Sequence, residues 1–110
     1  MCIVSLTGCV EKVPAGISDE MYNIGQEAVI VTEKFLDGDK SRRDTVDEMT
    51  DLGSKSLDIC TKEDENGTLD EEYNLDKLVG QTILLIAQEM CSVDGEEIES
   101  SLNILKELLE

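Results

Sequence analysis

The stretch LDKLVGQTILLIAQEMCSV, residues 75–93, is the most apolar in the chain, and its periodicity decides the fold. Val79, Ile83, Ile86, Met90 and Val93 recur at helical spacing, and Leu75, Leu78, Thr82 and Leu85 form a neighbouring stripe. Two adjacent stripes predict a helix buried over a wide face at the centre of the core. No run approaches the roughly 18 apolar residues of a membrane span.

Three further segments repeat the helical pattern. Met21, Ile24, Ala28, Val31 and Phe35 make one stripe, with Ser18 placed to cap its start and Gly38 to end it. Val46, Met49, Gly53, Leu57 and Cys60 make a second stripe after a capping candidate at Ser41. Gly53 on that face sacrifices helix propensity, and the compensation expected is close approach of a partner helix. Ile98, Leu102, Leu105 and Leu109 make the last stripe, opened by Asp94 as cap with Glu97 reaching back. Between the second and third helices, TKEDENGTLDEEYN (61–74) reads as an acidic loop centred on Asn66-Gly67, with Thr68–Glu71 capping the third helix. Scarce aromatics and abundant Leu, Ile, Val and Met fit helix packing better than strands. The expectation is an all-α protein: a small up-down bundle of three to four helices with an N-terminal helical hairpin.

The charge is lopsided. The 26 acids and 9 bases leave a net charge of −17 over 110 residues. Such a surface repels nucleic acid and anionic lipid, and suits cations and a basic protein partner. Histidine is absent, which removes the commonest general base and metal ligand. No nucleophile–base pair, phosphate loop or dinucleotide fingerprint takes its place, so no enzyme and no cofactor are expected. The acidic loop matches a calcium-binding EF-hand in part: with Gly67 as the central glycine, Asp64, Asn66 and Leu69 fall in register. Lys62 and Tyr73 occupy the first and twelfth places, where carboxylates are required, so a true EF-hand is excluded and no metal site is expected. Arg42 and Arg43 are expected to pair at the surface with Asp39, Asp44 and Asp47.

The chain starts MCIVSLTGCVEKVPAG, and Leu6-Thr7-Gly8-Cys9 has the form of a bacterial lipobox. Cys9 is then the lipidation site, and residues 1–17 are a residual signal segment, lipobox and tether ahead of a single domain at 18–110. The basic n-region and long apolar core of a signal peptide are missing before the box, so either the start lies further upstream or the match is accidental and the segment is an ordinary apolar N-terminus docked on the core. Cys60 and Cys91 are candidates for a disulfide; the alternative is two small buried thiols.

Tyr22, Gly25, Ala28, Phe35, Leu36, Asp37, Gly38 and Met49 carry a further signal, a helix ending in an FLDG turn that leads into a second capped helix. Over roughly residues 20–60 this resembles a loose group of small helical lipoproteins of Gram-positive (Firmicutes-type) bacteria. The resemblance implies a helical hairpin and a cell-envelope setting, and no particular activity. Taken together, these readings give a non-enzymatic binding or accessory module, lipid-anchored at the extracellular face of the cytoplasmic membrane. The alternative is a cytoplasmic acidic inhibitor whose charge imitates DNA and blocks a basic partner.

Overall fold

The structure is a computed structural model that describes residues 13–92 and 95–110. Among these residues, four helices form an all-α bundle: α1 Asp19–Leu36, α2 Arg42–Asn66, α3 Asp76–Ser92 and α4 Gly95–Leu108. Ser18 caps α1 by accepting from the Met21 amide, and Ser41 caps α2 by accepting from Asp44. The helices run alternately up and down. Arg42 at the start of α2 reaches the Met90 carbonyl near the end of α3, and along α4 Leu102 lies beside Leu36 at the end of α1 while Leu109 lies against Gly25, nearer its start. Helix α3 packs against all three others, while α2 and α4 do not meet.

The core is built from the expected positions of α1, α3 and α4. Met21, Ala28 and Val31 are buried, as are Val79, Ile83, Ile86 and Met90, and Ile98, Leu102, Leu105 and Leu109. The wide face read for α3 is a narrower one. Leu78 and Leu85 are exposed, and the second buried flank consists of Gly80 and Ala87. Small residues there let α2 lie close, so Leu78 and Leu85 of the neighbouring stripe are rotated outward, while Leu75 packs against the core.

Helix α2 departs most from its expected face. Leu57 is 55% exposed, and the inward positions are Thr45, Met49, Leu52, Gly53, Ser56 and Glu63. The close approach expected at Gly53 is present: a Cβ built there would fall 2.3 Å from Leu84 Cδ2, and one on Gly80 would fall 2.9 Å from Ser56 Oγ. Contact between α2 and α3 is therefore close at both glycines: the Leu84 side chain lies against Gly53 and the Ser56 side chain against Gly80, while Leu57 faces outward.

The reading of residues 61–74 as a loop is corrected in its first half. Helix α2 continues through Asn66, because Lys, Glu and Asp at 62–65 are compatible with helix and polarity alone is no stop signal. It stops at Gly67, whose φ of 77° is left-handed. The Thr68 amide bonds the Glu63 carbonyl at 2.9 Å and the Gly67 amide bonds the Asp64 carbonyl at 3.1 Å, a Schellman termination. Thr68 does not cap α3. Its carbonyl accepts from the Glu72 and Tyr73 amides and closes a turn before α3 starts at Asp76.

Packing starts ahead of residue 18. Ile17 is buried in the core with Val13 against it, and the Leu75 amide donates to the Gly16 carbonyl at 2.9 Å. The expected lipidation site Cys9, the stripe position Val93 and the cap Asp94 lie outside the described residues.

Candidate functional site

Three segments converge where the chain enters the bundle: the capped start of α1, the last turn of α2 and the first turn of α3. Each contributes one polar side chain. Ser18 donates its backbone amide to Asp76 Oδ1 at 2.9 Å and its hydroxyl to Oδ2 at 2.8 Å. The same Oγ accepts from Met21, so one side chain caps α1 and ties it to α3. Asp76 is fully buried, yet its carboxyl is satisfied by these two bonds and sits in the first turn of a helix, where the backbone dipole favours an acid.

Glu63 faces this pair from α2. Its backbone is fixed by three bonds to its carbonyl, from the Thr68 amide, the Thr68 hydroxyl and the Leu69 amide. Its side chain is 7% exposed, and Oε1 is buried with no hydrogen-bond partner. Burial, then a hydrogen bond and charge repulsion from Asp76, push the Glu63 carboxyl up to about 7, with Glu20 adding to the rise and Ser18 opposing it. Two carboxyls held together in a dry place cannot both ionise cheaply, so the site keeps a proton near neutral pH.

Beside Glu63 lies a cleft of about 350 Å³, walled by Ile59 and Tyr73 and rimmed by Glu20, Lys62 and Glu72. Tyr73 donates its phenol to Glu72, and that carboxylate raises the phenol above its ordinary range. No group of three or more Cys, Asp or Glu among the described residues is arranged to hold a metal ion. The arrangement suits a buried single acid that exchanges a proton for another cation.

The sequence-derived candidates fall elsewhere. Cys60 and Cys91 are free thiols near the C-terminal ends of two antiparallel helices, and so at opposite ends of the α2–α3 pair. Arg42 meets the Met90 carbonyl on the Cys91 side, and Cys60 is 18 residues further along α2, or about 27 Å of helix. A disulfide requires Cα atoms within about 7 Å, so these two do not bond. Nor are both buried: Cys60 is half-buried and Cys91 is exposed. Burial first, then the charges of Glu63 and Asp76, push the Cys60 thiol up to about 11, which suppresses its thiolate. Arg42 spends its charge on the Met90 carbonyl and on the Phe35 ring, 5.4 Å from the centroid, in place of the expected acids.

Sequence reasoning singled out Ser18 but missed Glu63 and Asp76. The signal existed. Continuing the inward series Met49, Leu52, Ser56 by seven residues lands on Glu63, which marks it as facing the core once the helix is allowed to run that far.

Comparison of the chain with protein-family models, curated proteins and solved structures found no match.

Proposed function

We propose that this protein is a non-enzymatic binding or accessory module of the bacterial cell envelope, held by a lipid on Cys9 at the outer face of the cytoplasmic membrane and meeting a basic protein partner. The observation that carries the reading is the acidic end of the bundle. Asp64, Glu65, Asp70 and Glu71 are exposed around the turn between α2 and α3, and none forms an ion pair among the described residues. Residues 63–110 hold 14 acids and 2 bases, and one of those bases, Lys106, is engaged with Glu33. Clustered unpaired charge of one sign draws an oppositely charged partner and speeds its arrival. The Leu6–Cys9 motif supports the lipid anchor.

The test is the intact mass and detergent partitioning of the protein expressed from its gene with all upstream sequence. A diacylglyceryl adduct at an N-terminal Cys9, lost in Cys9→Ala, supports the envelope placement. An unmodified chain in the aqueous phase discards it, and the acidic surface then belongs to a cytoplasmic inhibitor of a basic protein.

A further inference from the structure

We propose that the cleft beside Glu63 is a recognition pocket for an organic cation, the ammonium or guanidinium group of a lysine or arginine side chain on a basic polypeptide. This inference rests on the basic-partner reading above and gives it a specific contact point.

Three independent features of the cleft point to this ligand. Glu63 lines the cleft, and its Oε1 is buried with no hydrogen-bond partner, so a donor that reaches it satisfies an unmet acceptor. The volume of about 350 Å³ suits one long side chain and falls at the small end of ligand pockets. Tyr73 supplies an aromatic wall and Ile59 an apolar one, which match a cation carried on a methylene stem. Because the described residues assemble no metal ligand set, a compact metal ion is a poorer occupant than an N–H donor with an apolar stem.

Binding exchanges one cation for another. At neutral pH Glu63 holds a proton for part of the time, and an arriving ammonium or guanidinium bonds the carboxylate, so the proton leaves to solvent. The groups that face Glu63 are Asp76 from α3, Glu20 from α1, Tyr73 from the turn and Cys60 on its own helix; Asp19 and Glu72 lie beside Tyr73. Burial and the neighbouring Asp76 carboxyl raise the Glu63 carboxyl to about 7, and that gives binding a pH dependence around neutrality. Lys62, on the rim, repels an incoming cation.

The experiment is titration of the full chain with hexa-arginine amide, with hexa-citrulline amide as the uncharged control, read by calorimetry and by amide NMR shifts. Hexa-arginine is expected to bind about tenfold more tightly at about pH 8 than at about pH 6, and to shift the amides of Ser18, Asn66 and Tyr73. Glu63→Gln is expected to weaken binding and remove the pH dependence, Tyr73→Leu to weaken it at every pH, and Lys62→Ala to tighten it. Equal binding to wild type and Glu63→Gln, without pH dependence, overturns the pocket and leaves the acidic-module reading standing. No binding of hexa-arginine to the wild type at low salt overturns both.

Discussion

Ser18 holds both oxygens of Asp76, one through its amide at 2.9 Å and one through its hydroxyl at 2.8 Å, across 58 residues of chain. The contact fastens the start of α1 to the start of α3 at the point where Glu63 arrives from α2. Ser18→Ala removes a helix cap and leaves a buried carboxylate oxygen short of a donor. The expected cost is about 1–3 kcal/mol in urea unfolding. In a double-mutant cycle, Ser18→Ala and Asp76→Ala should cost less together than the sum of the singles. Strict additivity would mean the two side chains do not share an interaction.

Stability should fall as pH rises from acid through neutral. The unfolded Glu63 carboxyl titrates near 4.5 and the folded one near 7, so the folded state holds a proton that the unfolded state releases. The stabilising contribution is complete below about 4.5 and is lost as pH rises through about 7. Glu63→Gln should remove this slope and be more stable than wild type at about pH 8. Urea midpoints measured across the range check it, and a wild type that does not lose stability between about pH 5 and 8 refutes it.

Gly53→Ala tests the close approach of α2 to α3. Alanine favours helix by about 1 kcal/mol, but its Cβ meets Leu84 Cδ2 at 2.3 Å and Cγ at 2.9 Å. The clash should win, with a net loss of about 1–2 kcal/mol by thermal or urea unfolding. Adding Leu84→Ala to Gly53→Ala should cost less than Leu84→Ala costs in the wild type.

Ile86 and Leu78 lie two turns apart on α3 and should respond in opposite ways to the same substitution. Ile86 is fully buried, so Ile86→Asp places an unpaired charge in the core and should abolish cooperative unfolding by circular dichroism. Leu78 is 46% exposed, so Leu78→Asp should change stability by less than about 1 kcal/mol.

The two described cysteines should differ in reactivity. Cys91 is exposed, whereas the Cys60 thiol is partly buried and pushed up to about 11. Iodoacetamide at about pH 8, followed by peptide mapping, should label Cys91 first and Cys60 at least about tenfold more slowly. Non-reducing peptide maps should contain no Cys60–Cys91 linkage.

Periodicity made most of the fold legible. The stripes of α1 and α4 and the Val79–Met90 stripe of α3 are the core, because a 3.6-residue repeat of large apolar side chains has only one way to leave water. It was incomplete on α2. Met49 and Gly53 of the expected stripe are buried and Val46 and Cys60 pack against the core, but Leu57 is exposed, and Ser56 and Glu63, outside the stripe, are buried. Its buried face is chosen by what α3 offers: Leu84 against Gly53, Gly80 against Ser56, and the Asp76 carboxyl beside Glu63. The disulfide pairing failed for a related reason: two cysteines near helix ends are neighbours only if the helices are parallel, and here they are antiparallel.

The helical class, three of the four buried faces, the caps at Ser18 and Ser41 and the acidic character are all written along the chain, because each depends on local spacing or composition. The meeting of Ser18, Glu63 and Asp76 is not. Their polarity favours water as much as it favours one another, so no pattern of residues announces the contact. Only the crossing of α1, α2 and α3 in the folded bundle excludes the water and turns three ordinary polar residues into one buried, proton-holding site.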